Sequence, residues 1–494
     1  MNSIHQQAMT YVYKQVLQRL LSYLGRSERA ALQLLCQRLI VTAGGLDRIA
    51  DYKVLLAHGG GKDSSYTLAL LRAAQLSIAA RSPATFALRV ATLRHPGVTS
   101  VVMSNIQRGY SALFLHDDPR VELLMIDHDQ VQPFSHQSAI DVASRDRHRS
   151  TLLINAHLTA GDGRSSFCNH CYLTMSDLYL RASRWEGGVD LLVSGDSVRE
   201  QKRYLAWLSR VARTPGEPRR ARVMDLASFG QTCAQLRHDY QRQLGDPEAV
   251  PVAALPAAVR PTLFMGLHDL IGAPLELRWS LLQEFLGFRF DDLSFHFSES
   301  DCANPLLMAH LRGLQAEQVR GLSYSVGIGE YLQLAEALMR KKRMPAFLIE
   351  QALSAYDSAQ KIKARRGLAA AYAQDAFGLN EHSLVCLLFS PFVDRGKGLE
   401  NYLRQVHPGM LVALAELHRA LMAQSASEQA IRWLTRISGL SLLSLQSLYR
   451  MQRVNFNDPD NLIARIRCSD PDKHRVTVID CATGDSAKVL LSGR

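Results

Sequence analysis

The chain has 494 residues, of which 47% are hydrophobic, and a formal net charge of +11. This length predicts two or more domains with sizeable cores. The sequence contains no run of about 18 apolar residues, which excludes a transmembrane helix and membrane partners, and eight cysteines in so long a chain do not form a disulfide scaffold. Because the N-terminus lacks the layout of a secretory signal, we expect a cytoplasmic protein, and the basic charge favours an anionic partner.

Residues 1–50 are predicted to form an N-terminal helical segment. Leu17, Leu20 and Leu24 recur on one helical face. Ser27, followed by a second apolar-periodic run, is typical of a capped helix. We expect these faces to belong to a core.

Between residues 51 and 230, strand patterns alternate with helical patterns, which predicts an α/β domain with a parallel sheet covered on both faces. Strands are expected at residues 54–57, 86–93, 121–126 and 191–194, and helices at residues 64–74, 104–115, 169–185 and 198–211. Ligands of such sheets bind beyond the carboxyl ends of the strands. Here those ends carry polar residues, among them Arg94 with His95, Asp127 with His128, and Ser194.

The first of these strands runs into a glycine-rich loop. Its residues are Gly59, Gly60, Gly61, Lys62, Asp63 and Ser64, and a helical pattern follows. Glycines let backbone N–H groups approach a phosphate, and a helix N-terminus adds partial positive charge. The spacing matches neither a Walker A loop nor a dinucleotide fingerprint. The pattern predicts an anion site, and the alternative is a glycine-rich turn that binds nothing.

The loop resembles the PP-loop of the ATP-pyrophosphatase (adenine nucleotide alpha hydrolase) superfamily, whose signature reads SGGxDS. Gly59 stands in place of the first serine, so one hydroxyl contact with phosphate is missing. The resemblance implies a HUP/Rossmann-like domain over residues 51–230, in which the loop backbone, Lys62 and Ser64 hold the phosphates of ATP and Asp63 helps to hold Mg²⁺. In this superfamily a substrate oxygen attacks the α-phosphate, which releases pyrophosphate and leaves an adenylate.

A second polar motif begins with Ser194, Gly195 and Asp196 and precedes a predicted helix. Ser197 and Glu200 also have the spacing of a capping box, and the two interpretations are compatible. The motif is similar to the later acidic motif of several PP-loop enzymes. That resemblance places Ser194, Gly195 and Asp196 at ATP, with Asp196 as a ligand of Mg²⁺ or of the loop.

Cys168 and Cys171 are the only closely spaced cysteines of the sequence. A CxxC pair can be half of a zinc site, a redox pair or two ligands of an iron–sulfur cluster. Its position in the domain resembles the sulfur-transferring PP-loop enzymes, including the tRNA 2-thiocytidine and 2-thiouridine synthetases, which hold a three-cysteine 4Fe–4S cluster. The third ligand is then expected to be Cys302, with Cys233 as the alternative, unless these two are small buried core residues.

The remaining chain is predicted to form a mostly helical domain over residues 231–450 and a small β tail over residues 451–494. Proline-rich linkers precede the helices at residues 213–223 and 245–261. Short strands are expected in the tail at residues 462–466, 476–479 and 488–491.

Three functions remain open from the sequence. The first is an ATP-dependent enzyme that adenylates a substrate oxygen and then transfers sulfur, carried by Cys168 and Cys171 and supplied by a sulfur donor protein, to tRNA or a small molecule. The second is an ATP-dependent C–N ligase or amidotransferase-like enzyme whose cysteines hold Zn²⁺. The third is an RNA-binding protein with a decayed PP-loop. ATP and Mg²⁺ serve the first two, with a 4Fe–4S cluster or Zn²⁺ at the cysteines.

Overall fold

A computed structural model describes residues 3–82, 84–128, 130–194, 198–213, 226–247, 260–267, 269–270, 275–291, 304–341, 344–469, 473–479 and 484–492. The strands are β1 (Lys53–Ala57), β2 (Ala87–Arg94), β3 (Val121–Asp127), β4 (Gln130–Pro133), β5 (Leu191–Ser194), β6 (Leu263–Gly266), β7 (Lys473–Ile479) and β8 (Ser486–Ser492). The first ten helices are α1 (Ser3–Ser22), α2 (Arg26–Ala43), α3 (Lys62–Ala79), α4 (Ser100–Ala112), α5 (Val142–Leu158), α6 (Gly163–Arg184), α7 (Val198–Val211), α8 (Leu226–Leu244), α9 (Leu275–Ser280) and α10 (Pro305–Leu314). The later helices are α11 (Tyr324–Lys341), α12 (Ala346–Ser354), α13 (Ala359–Phe377), α14 (Glu381–Phe389), α15 (Val393–Gly396), α16 (Leu399–Val406), α17 (Leu414–Leu421), α18 (Glu428–Ser438), α19 (Leu442–Arg450) and α20 (Leu462–Cys468).

A six-stranded sheet organises the first half of the chain. Its strand order is β4-β3-β2-β1-β5-β6, and every pair is parallel except β3 with β4. All four strands predicted in this region are present, which confirms an α/β fold with a mostly parallel sheet. The arrangement is compatible with a Rossmann-like fold. Within the described part of the chain, no helix has both the length and the apolar character needed to cross a membrane.

The central strand β1 shows how the sequence specifies this sheet. Val54, Leu55 and Leu56 are at most 1% exposed. Val54 and Leu56 belong to the core that α1 to α4 form with the sheet, whereas Leu55 belongs to the core against α6. Successive side chains of a strand point to opposite faces, so an uninterrupted apolar run is required where helices cover both faces.

Two strands of the sheet were not predicted, β4 and β6. β6 lies inside the region predicted as mostly helical, and it pairs in parallel with β5, so the sheet includes residues beyond 230. Leu263 and Phe264 of β6 are 54% and 51% exposed. Backbone pairing with β5, rather than side-chain burial, therefore determines the position of this edge strand. A strand that is not buried leaves little trace in the apolar pattern of the sequence.

The tail begins with a helix, so the strand predicted at residues 462–466 is wrong. The side-chain oxygen of Asn461 accepts a hydrogen bond from the backbone N–H of Ala464 at 3.0 Å and caps α20. Leu462, Ile463 and Ile466 are then buried on one side of that helix. The other two predicted strands are present as the antiparallel pair β7 and β8, which confirms the small β element.

One large core joins α5 and α6 to the C-terminal helices. It contains Leu153 of α5, Phe167 of α6, Phe377 of α13 and Trp433 of α18, and the rings of Phe167 and Phe377 are 5.2 Å apart. The helical region thus packs directly on two helices of the α/β region. The proposed domain boundaries stay a prediction.

Candidate functional site

The glycine loop lies where the order of the strands reverses. The chain moves outward from β1 through β2 to β3 and later returns to β5 on the other side of β1. Residues 58–61 leave the carboxyl end of β1 at this reversal and lead into α3. In open α/β sheets, the crevice at such a reversal is the usual ligand site.

Gly60 and Gly61 shape the backbone of the loop. Gly60 has a φ of 75°, and a Cβ atom there would lie 2.7 Å from Val102 and 2.9 Å from Ile106 of α4. Gly61 precedes α3 in extended conformation and provides no side chain to cap the helix. The first N–H groups of a helix have no partner within it, and a helix N-terminus in such a crevice is a type of site that suits an anion.

Two cations meet one carboxylate at this end of α3. Lys62 Nζ lies 3.3 Å from one carboxylate oxygen of Asp63, and the guanidinium of Arg278 lies 3.4 Å from the other. The side chain of Asp63 is 64% exposed, whereas those of Lys62 and Arg278 are 17% and 15% exposed. The site therefore combines two largely buried cations with a carboxylate that faces solvent.

Arg278 is a site residue that the sequence did not reveal. It belongs to α9, 215 residues after Asp63 in the chain, and its guanidinium lies over the ring of Tyr66, 5.2 Å from the ring centre. The hydroxyl of Tyr66 donates a hydrogen bond to Glu28 at 2.6 Å. Burial, followed by the contact with Glu28, raises the pKa of Tyr66, so a neutral phenol ring holds Arg278 at the loop.

His58 is a buried residue at the start of the glycine loop. It is 1% exposed, and its Nε2 lies 3.4 Å from Ser65 Oγ, while its Nδ1 has no hydrogen-bond partner among the described residues. Burial lowers the pKa of His58 to about 3. The imidazole is therefore neutral, and it acts on the loop through packing rather than through charge.

The other predicted loop residues, Gly59 and Ser64, have different surroundings. Gly59 is exposed. The hydroxyl of Ser64 donates a hydrogen bond to the carbonyl of Gly61 at 3.0 Å. This hydrogen bond stabilises the turn that leads into α3.

The second polar motif is described only at its first residue. Ser194 ends β5 and is 8% exposed, and β5 is paired directly with β1. Ser194 therefore stands beside the strand that carries the glycine loop. Gly195 and Asp196 lie outside the described residues, so their predicted roles stay predictions.

The CxxC pair lies within α6. Cys168 and Cys171 are one helical turn apart on this helix, which begins at Gly163 rather than near residue 169. The earlier start follows from Asp162, whose carboxylate accepts a hydrogen bond from the backbone N–H of Ser165 at 2.8 Å.

A third cysteine ligand is not located. Cys302 lies outside the described residues, and the alternative ligand, Cys233, is buried in the core. Among the residues that the structure describes, no group of three His, Cys, Asp or Glu side chains is arranged to hold a metal ion. The described residues therefore do not assemble a site for a 4Fe–4S cluster or Zn²⁺.

Family models, curated proteins and solved structures were each compared with the chain, and none matches it.

Proposed function

We propose that this protein binds Mg²⁺–ATP at the glycine loop and adenylates a substrate oxygen with release of pyrophosphate. The observation that carries the proposal is the meeting of Lys62, Asp63 and Arg278 at the uncapped N-terminus of α3. A helix end of this kind suits any phosphate. The resemblance of the loop to the SGGxDS signature is what favours attack at the α-phosphate of ATP.

The reaction forms one bond and breaks one. A substrate oxygen bonds to the α-phosphorus, the bond from that phosphorus to the bridging oxygen breaks, and pyrophosphate leaves with the electron pair. Negative charge develops on the leaving group. Lys62 and Arg278, which both contact Asp63, would stabilise that charge together with the N–H groups of α3, and Asp63 is the carboxylate that would hold Mg²⁺.

We propose sulfur transfer as the second half of the reaction, with Cys168 and Cys171 as its two thiols. One cysteine attacks the outer sulfur of a persulfide on a sulfur donor protein, whose S–S bond breaks so that the donor leaves as a thiol and the cysteine becomes a persulfide. The terminal sulfur of this persulfide attacks the adenylated carbon, which expels AMP with the electrons of the C–O bond. The second cysteine attacks the resulting disulfide and releases the thiolated substrate. A Cys168–Cys171 disulfide remains, and an external dithiol reduces it. The spacing of one helical turn supports this pairing.

The proposal is tested first by ATP affinity. We expect Lys62→Ala and Arg278→Gln each to weaken binding of Mg²⁺–ATP by about tenfold or more, because each removes a charge-assisted hydrogen bond to phosphate. Isothermal titration calorimetry gives the dissociation constants.

The matched control is Arg404→Gln, since Arg404 pairs with Glu400 on the exposed surface of α16. AMP, which lacks the β- and γ-phosphates, should bind the wild type and Arg278→Gln about equally. Wild-type protein that fails to bind ATP, or Lys62 and Arg278 variants with unchanged affinity, would contradict the proposal.

A further inference from the structure

The segment that carries Arg278 is short. The helix α9 has only six residues, and an isolated helix of that length is at best marginally stable in water. It continues into one turn of π-helix at Leu281–Phe285, a rare geometry that is frequent at functional sites. Contacts with other elements therefore determine where Arg278 lies.

The N-terminal helix α1 contacts the π-helical turn directly. The rings of Tyr23 and Phe285 are 5.8 Å apart, and the guanidinium of Arg19 lies over the ring of Phe285, 5.2 Å from its centre. Leu281 and Leu20 are each 1% exposed and belong to the same core. The end of the segment that follows α9 is thus packed on α1.

The second N-terminal helix, α2, contacts the chain ahead of α9. Arg38 donates two hydrogen bonds to the carboxylate of Asp269, one of them at 3.1 Å. The two side chains are 40% and 55% exposed, and exposed ion pairs contribute little to stability. This pair therefore shows that α2 flanks the segment, and a stronger contact has to hold Arg278 itself.

Tyr66 of α3 makes that stronger contact, because it lies between α2 and Arg278. Tyr66 is 1% exposed. The guanidinium of Arg278 lies over its ring, 5.2 Å from the ring centre, and its hydroxyl donates a hydrogen bond to Oε1 of Glu28 at 2.6 Å. An aromatic face attracts a guanidinium, so the position of this ring determines where Arg278 is held. A chain of contacts thus leads from Glu28 on α2 to Asp63 at the glycine loop.

Glu28 contacts two different elements. Its second carboxylate oxygen, Oε2, accepts a hydrogen bond from the backbone N–H of Gly25 at 2.8 Å, which caps α2. Glu28 is 9% exposed, and burying a carboxylate is costly unless hydrogen bonds satisfy it. A capping box accepts glutamine as well as glutamate. Capping alone does not require the carboxylate, whereas two donors, Gly25 and Tyr66, each need an acceptor oxygen.

We propose that Glu28 and Tyr66 are positioning residues of the ATP site, which hold Arg278 beside Asp63 and the glycine loop. Neither is assigned a contact with ATP, and both act through Arg278. This role rests on the proposed function, in which Arg278 binds phosphate. It makes the N-terminal helices α1 and α2 a working part of the ATP site.

The test is a double-mutant cycle on the full-length protein, with the affinity for Mg²⁺–ATP measured by calorimetry. Glu28→Gln keeps the capping box, and Tyr66→Phe keeps the ring. We expect each to weaken binding about threefold, as for the loss of one hydrogen bond. In the Arg278→Gln background the same substitutions should change the affinity by less than about twofold, because the group that they position is gone.

The matched control is Glu416→Gln. The carboxylate of Glu416 also accepts a hydrogen bond from a backbone N–H, that of Ser427 at 2.8 Å, but it belongs to α17 in the C-terminal helical region. We expect this variant to bind ATP like the wild type. Unchanged ATP affinity in Glu28→Gln and Tyr66→Phe would overturn the inference. Losses of the same size with and without Arg278 would also overturn it, because a merely structural role would persist in that background.

Hydrogen exchange without nucleotide separates this inference from the proposed function. We expect Glu28→Gln and Tyr66→Phe to lose protection in the peptide that contains α9, because a weaker anchor lets the segment open more often, and Glu416→Gln to keep it. Wild-type protein that fails to bind ATP would remove the proposed function, while loss of α9 protection would still support the anchoring of Arg278. Unchanged α9 protection in both variants would overturn the positioning role even where ATP binds.

Discussion

At the scale of single residues, Gly60 determines the shape of the glycine loop. Its left-handed φ and the contacts that a Cβ atom would make with α4 are independent constraints, and both demand glycine. The sequence pattern drew attention to the glycines of the loop, but it could not distinguish Gly60 from Gly59. That distinction depends on the position of α4, whose residues follow some forty positions later in the chain.

We therefore expect Gly60→Ala to lower the free energy of unfolding by about 1–3 kcal/mol through strain and overpacking and to weaken ATP binding. Thermal unfolding and calorimetry measure the two effects. The control is Gly367→Ala, because Gly367 lies within α13 with no atom near the added methyl group, and alanine should stabilise that helix slightly. A Gly60→Ala variant as stable and as active in ATP binding as the wild type would refute this account.

At the scale of elements, two predictions failed for the same reason. β6 was missed and α20 was taken for a strand, and each is a run of only a few apolar residues. Over so short a run the helical and strand periods cannot be separated. Backbone pairing with β5 decided the first case, and the cap at Asn461 together with burial in the C-terminal core decided the second.

A further prediction concerns the two cysteines of α6. If Cys168 and Cys171 transfer sulfur, treatment of the reduced protein with polysulfide should add sulfur to the peptide that contains them. Peptide mass spectrometry should show the loss of this modification in Cys168→Ser or Cys171→Ser, with ATP affinity unchanged. Cys468→Ser is the control, because Cys468 is exposed and belongs to α20 rather than to α6.

The outcome also separates the second candidate function from the first. Stoichiometric zinc that survives purification and depends on Cys168 and Cys171 would favour the C–N ligase. Full activity in both serine variants would end the sulfur-transfer proposal.

At the scale of the whole molecule, several histidines are buried without charge. His58, His157 and His310 are each at most 1% exposed, and burial is the largest cause that lowers their pKa values, to about 3, 3 and 4. Both ring nitrogens of His157 lack hydrogen-bond partners among the described residues. In the unfolded chain these imidazoles titrate near pH 6.5, so between that pH and the folded values the unfolded state binds more protons.

The stability should therefore be complete above about pH 6.5 and decline as the pH falls toward 3. At pH 5 each such histidine lowers the free energy of unfolding by roughly 2 kcal/mol relative to neutral pH. We expect His157→Leu to reduce the difference in melting temperature between pH 7.5 and pH 5 by the share of one histidine. His136→Gln changes an exposed position and should leave the difference in melting temperature unchanged. If burial of a neutral imidazole is not the cause, His157→Leu should also leave it unchanged.

The sequence by itself determined the parts of this protein that depend on local pattern. The glycine loop, the four predicted strands and the helices α3, α4, α6 and α7 follow from apolar periodicity and from the φ that glycine permits, whereas α5 was not predicted. The tertiary structure alone decided that Arg278 reaches Asp63, that β6 extends the sheet, and that Phe285 packs against Tyr23 of α1. These contacts join residues far apart in the chain, and their partners are selected by packing and strand order, which leave no fixed spacing in a single sequence.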